Sequence, residues 1–141
     1  MTQRPAARVA HVAFFTADLD RLAAFWADAF GARIGPLYES ARRPGFRSRF
    51  LTLGDGATIE LMSAPWIAPA PAPDARPAPD AHERAGLAHV AIGLGSPAAV
   101  DALAAHLEPK GLLAAHPRRT GDGFYEAIVR DPDGNLVEIT A

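Results

Sequence analysis

The chain contains no cysteine, which rules out a disulfide framework, a thiolate nucleophile and any zinc site built on sulfur. A metal, if held, must be held by histidine and carboxylate. Nor is there an excess of charge of either sign. Lys and Arg number 14 against 16 Asp and Glu, a formal net charge of −2 with a pI near 6.2. Neither nucleic acid nor an anionic membrane is therefore expected as the main partner. No apolar run reaches the roughly 18 residues of a membrane span, and the opening Met-Thr-Gln-Arg-Pro lacks the charged start and long apolar stretch of a signal peptide. The expectation is a soluble, cytoplasmic protein. At 141 residues and 49% apolar content, the chain suits one compact domain or two small modules sharing a core.

What is present is a repeat. Ala10-His11-Val12-Ala13 returns as Ala88-His89-Val90-Ala91. Each copy is followed by a glutamate in an apolar, strand-like run, Glu60 in Thr58-Ile59-Glu60-Leu61 and Glu138 in Leu136-Val137-Glu138-Ile139. The separation is 49 residues in both cases. Self-similarity at a fixed offset marks a duplicated structural unit.

Read in order, residues 8–15 form a strand with Val9, His11, Ala13 and Phe15 on one face. Asp18 is the N-cap of a helix whose apolar stripe runs from Leu19 to Phe30 and stops at Gly31. Three strands follow, over 33–40, 46–53 and 57–63, joined by turns at Pro44-Gly45 and Gly54-Asp55-Gly56. Residues 64–85, rich in proline and alanine, cannot supply a continuous ladder of backbone donors and read as a linker or surface loop. The first pattern then restarts. A strand over 87–94 carries His89, a helix begins at Ser96-Pro97 with Val100, Leu103 and Leu107 as its buried stripe, and strands follow over 112–116, 124–130 and 135–140. The last two are joined by Asp131-Pro132-Asp133-Gly134-Asn135. The expected fold class is α+β, with two βαβββ modules over 7–63 and 86–141. Their curved mixed sheets surround a metal-binding cleft, and their helices lie on the outer faces.

Alternation places His11, Glu60, His89 and Glu138 on the strand faces that the helices do not cover. An imidazole or carboxylate in an apolar strand is costly unless paired or coordinated. Four at matched positions suit one divalent cation, and two neutral imidazoles with two carboxylates favour Zn, Ni, Co, Fe or Mn over Ca or Mg. His82, His106 and His116 lie outside the pattern and read as surface residues. Arg42, Arg43, Arg47 and Arg49 read as a solvated hairpin that can also meet an anionic substrate, and Trp66 and Tyr125 as core or rim aromatics.

The paired βαβββ pattern, the strand histidine in each half, Phe25-Trp26 with Phe30-Gly31-Ala32, and Asp131-Pro132-Asp133-Gly134-Asn135-Leu136-Val137-Glu138 resemble the vicinal oxygen chelate superfamily. That group spans glyoxalase I, epimerases, extradiol dioxygenases and bleomycin-binding proteins. The set His11, Glu60, His89, Glu138 is similar to that of bacterial glyoxalase I. The resemblance implies a lyase or isomerase in which the metal stabilises an enediolate and Glu60 or Glu138 acts as the base. Where those enzymes carry an Arg and an Asn toward glutathione, this chain has Phe15 and Ala64. A phenylalanine donates no hydrogen bond, and an apolar wall near Phe15 and Met62 suggests another small-molecule ligand.

The resemblance also implies a homodimer, with the modules combined either within a chain or by exchange. Residues 64–85, extended at about 3.1 Å per residue, reach far enough for both. Two other functions compete with the lyase. One is a non-catalytic protein that sequesters an antibiotic, and the other an Fe(II) ring-cleaving dioxygenase using His11, His89 and Glu138.

Overall fold

The computed structural model describes residues 7–79, 83 and 85–141. They fall into two compact units that divide between Pro69 and Ala70.

In the first unit the element order is β1 (Val12–Phe15), α1 (Leu19–Phe30), β2 (Arg33–Ile34), β3 (Tyr38–Glu39), β4 (Arg47–Thr52) and β5 (Thr58–Ser63). The sheet runs β1-β5-β4-β2, with β3 also on β4. β1 lies parallel to β5 and the remaining pairs are antiparallel. The expected strand over 33–40 is two short strands. Gly35 and Pro36 interrupt it, since proline has no N–H to give the ladder. Asp18 caps α1 by accepting from the Arg21 N–H at 3.0 Å, and Gly31 ends the helix in the left-handed region at φ 64°. Such a cap contributes about 1 kcal/mol. The buried face of α1, Leu19, Leu22, Ala23, Phe25 and Trp26, covers Leu51, Ile59 and Leu61. Trp26 is the centre of this core, with ring contacts to Phe14, Phe25 and Phe30. Arg49 ties β4 to its surroundings, donating to the Gly35 carbonyl at 3.0 Å and facing Asp20 at 3.8 Å.

The second unit repeats the plan with β6 (Val90–Gly93), α2 (Pro97–Leu107), β7 (Leu113–Arg119), β8 (Tyr125–Arg130) and β9 (Leu136–Thr140). Its sheet runs β6-β9-β8-β7, with β6 parallel to β9. Ser96 accepts from the Ala99 N–H at 3.2 Å and Pro97 opens the helix. Val100, Ala104 and Leu107 pack over Ala127, Val129, Val137 and Ile139, all buried. β7 is longer than expected and irregular against β8, which puts His116 inside the strand rather than at its end. The β8–β9 turn is built on Asp131. Its buried carboxylate accepts from the N–H groups of Asp133 and Asn135, both at 2.9 Å, and from the Asn135 side chain at 2.7 Å.

The proline-rich stretch divides. Residues from Ala70 onward belong to the second unit, held there by guanidinium groups. Arg76 donates to the carbonyls of Pro71 at 3.0 Å and Pro132 at 2.8 Å. Arg130 donates to those of Pro77 at 2.5 Å and Gly134 at 3.1 Å. Residues 71–79 are thus a strap laid on the second unit. No helix among the described residues is long and apolar enough to cross a membrane.

Candidate metal centre

Parallel pairing sets the geometry of each half. Ala13 faces Glu60 across β1 and β5, and Ala91 faces Glu138 across β6 and β9. Each histidine stands two residues before that alanine, one residue before its strand begins, so both lie at a strand's entrance rather than within it. Thr58 donates its hydroxyl to the Ala10 carbonyl at 3.0 Å, fixing the backbone next to His11.

The result is two matched pairs. His11 Nε2 lies 3.3 Å from Glu60 Oε2, and His89 Nε2 lies 3.3 Å from Glu138 Oε2. Exposure matches as well, 40% and 19% for the first pair's side chains and 40% and 18% for the second's. Two ligand atoms each about 2.1 Å from one ion, at an angle of about 100°, stand about 3.2 Å apart. The donor chemistry and spacing of each pair therefore fit half of a four-ligand centre. Among the described residues no three His, Cys, Asp or Glu side chains form a metal-holding group. What the structure brings together is each histidine with its own glutamate, inside its own unit.

Around the pairs the two halves differ. In the first, Phe50 faces Glu60 across the strands and meets the His11 imidazole edge-on at 5.4 Å. Phe50 and Phe15 are exposed on this face. In the second, Ile128 occupies the place of Phe50 and Glu126 that of Ser48. Glu126 is buried, and its carboxyl is hydrogen-bonded to Glu138. Burial first, and then the neighbouring Glu138, raise the Glu126 carboxyl above the usual carboxylate range, while Arg118, 3.8 Å away, opposes the shift. Sequence reading passed over Glu126. The signal was its parity, because it alternates with Ile128 and Arg130 on the face that carries Glu138.

The remaining candidates are accounted for elsewhere. His116 pairs with Glu108 at 2.8 Å, and His106 meets Lys110 at 2.9 Å, both on the surface. His82 lies outside the described residues. Arg43 lies over the rings of Phe46 and Trp66, as expected of a hairpin surface. Tyr125 donates to Asp101 at 2.6 Å. In the first unit, a cavity of about 310 Å³ lined by Glu39, Arg47 and Ser63 includes neither His11 nor Glu60 in its lining.

Residues 8–139 match the family model of the Glyoxalase/Bleomycin resistance protein/Dioxygenase superfamily. No curated protein matches the chain. Among solved structures, the chain is similar to a glyoxylase/bleomycin resistance protein/dioxygenase domain from Frankia sp. EAN1pec, with a TM-score of 0.76 and 17% identity over 96% of this chain and 98% of that one. It is similar to the lactoylglutathione lyase of Agrobacterium tumefaciens, with a TM-score of 0.63 and 25% identity over 97% and 95%. It also resembles glyoxalase I of Zea mays, with a TM-score of 0.67 and 20% identity over 94% of this chain, which spans 44% of that one.

Proposed function

The chain belongs to the Glyoxalase/Bleomycin resistance protein/Dioxygenase superfamily, and from that premise we propose that it is a metal-dependent lyase or isomerase of the glyoxalase I kind acting on a small carbonyl compound. His11, Glu60, His89 and Glu138 hold one divalent transition metal, which is Zn, Ni, Co, Mn or Fe. The observation that carries this reading is the equality of the two pairs. The same two atoms stand 3.3 Å apart at the same register in both units. Duplication of the unit explains the shared register, and one shared ion gives both copies of the pair a common use.

When bound, a dication would supply stabilisation of the negative charge that develops on the substrate. The chain supplies the rest. His11 and His89 would each offer the ion an Nε2 lone pair, and Glu60 and Glu138 would balance its charge. Glu60 or Glu138 takes the proton from the carbon beside the carbonyl and returns it to the neighbouring carbon. Each of these side chains keeps about a fifth of its surface exposed, 19% for Glu60 and 18% for Glu138, which leaves the carboxylate within reach of a substrate proton. The pairs combine in a homodimer, within a chain or across two. Phe15 and Phe50 offer a substrate an apolar surface, unlike the donors that glutathione requires.

The fourfold match speaks against the oxygenase, in which Glu60 would have no part. The exposed Phe15 and Phe50 favour a second reading, a non-catalytic protein that sequesters an apolar small molecule. A panel of α-oxo aldehydes with several thiols, together with acyl-CoA epimerisation, separates the two when run on protein reconstituted with each metal. The lyase reading expects turnover that falls about 100-fold or more in Glu60→Gln or Glu138→Gln. Bound metal with no turnover on any member of the panel overturns it, and absence of metal uptake favours sequestration.

A further inference from the structure

The strap walls a space that runs up to His89 and whose remaining lining the proposal above does not use. A cavity of about 620 Å³ in the second unit is lined by Pro77 and Pro79 of the strap, Ile128 and Leu136 of the sheet, and His89. This lies within the size range of small-ligand clefts, roughly 300–1,000 Å³. Two arginines and Glu83 complete its charged lining.

The two arginines differ in what they have left to offer. Arg130 spends both terminal nitrogens on the carbonyls of Pro77 and Gly134, so it is the clasp of the strap. Among the described residues Arg118 makes one long ion pair, Nη2 to Glu126 Oε1 at 3.8 Å, and its side chain is 46% exposed. A guanidinium whose fork of donors is otherwise uncommitted among the described residues, on the wall of a partly apolar cavity, fits the two oxygens of a carboxylate. The place is also defined relative to the metal-ligating residues. Glu126 touches both Glu138 and Arg118, so the three charged groups stand in a row on one sheet face. Ile128 is next to Glu138 in the register. The first unit offers nothing equivalent, with Ser48 and Phe50 in the corresponding positions.

We infer that the cavity beneath the strap is a carboxylate subsite. Arg118 pairs with a carboxylate carried on a short apolar chain, the chain lies over Ile128 and Leu136, and the far end of the molecule reaches His89 and Glu138. That far end becomes the reacting end only under the lyase reading. The substrate class is then a small carbonyl compound with a carboxylate separated from its reacting oxygens by a few methylenes. The subsite itself does not depend on that reading.

The test uses the full chain, metal-free, with its isoleucine and leucine methyl groups followed by NMR. Pentanoate and pentanamide are the probes. The expected result is saturable shifts at the Ile128 and Leu136 methyls with pentanoate, about tenfold or more weaker affinity for the amide, and loss of that preference in Arg118→Gln. Equal binding of acid and amide to the unaltered protein overturns the proposal without recourse to a variant. So does an absence of saturable shifts, or a preference that survives Arg118→Gln. Zinc-loaded protein titrated with pentanohydroxamate, which chelates through two adjacent oxygens, tests the metal centre separately. Pentanoate binding without any gain for the hydroxamate sinks the metal centre and upholds the subsite, and the reverse sinks only the subsite.

Discussion

A β-carbon on Gly134 would stand 2.6 Å from Nε of Arg76. The Arg76 side chain fills the place that a side chain at 134 would take, so a residue other than glycine there has to push the guanidinium aside. Gly134 also has a φ of 88°, so alanine there meets backbone strain and a displaced guanidinium together. Gly123, at φ 95° with open space around its α-carbon, isolates the first effect. Gly123→Ala is expected to cost about 1 kcal/mol and Gly134→Ala about 2–3 kcal/mol by urea unfolding. Equal costs would mean that the strap is not bound to this turn in solution.

The Asp131 carboxylate organises the same turn from inside. It is fully buried and accepts three N–H donors, all orphaned by its removal. Asp131→Ala is expected to destabilise by about 2–4 kcal/mol, read as a lowered urea midpoint. A loss below about 0.5 kcal/mol would be the value for an ordinary surface position and would contradict this role.

Glu126 makes stability depend on pH. Burial and the adjacent Glu138 raise its carboxyl in the folded state. A raised acid contributes its stability below its unfolded-state value and loses it as pH rises through the folded-state value. In metal-free protein, Glu126→Gln is therefore expected to gain in Tm relative to the unaltered chain between pH 5 and pH 8. Parallel Tm curves for the two proteins would show that the carboxyl is not perturbed.

Much of this was legible because it is periodic. The repeat around His11 and His89, the common offset to Glu60 and Glu138, and period-two alternation suffice to put each histidine and its glutamate on one sheet face opposite a helix. The break at Pro36 follows from its missing N–H, although a β-rich reading of 33–40 runs through it. The strap was not legible. Arg76 meets Pro132 and Arg130 meets Pro77 across more than 50 residues of sequence, and a guanidinium on a distant carbonyl leaves no local pattern. Proline content alone speaks for an extended segment and not for what it lies against. Arg118 escaped notice for a related reason, since its meaning depends on the cavity wall rather than on any motif.

Calorimetric titration of a transition metal into the chelator-stripped protein, repeated for His11→Ala and for His89→Ala, bears on the shared centre most directly. A single ion held by both pairs gives one ion per chain, and either substitution alone weakens binding about 100-fold or more. Two ions per chain, with each substitution abolishing one and sparing the other, would show that the pairs work independently, and no binding at all would remove the metal from the protein's chemistry.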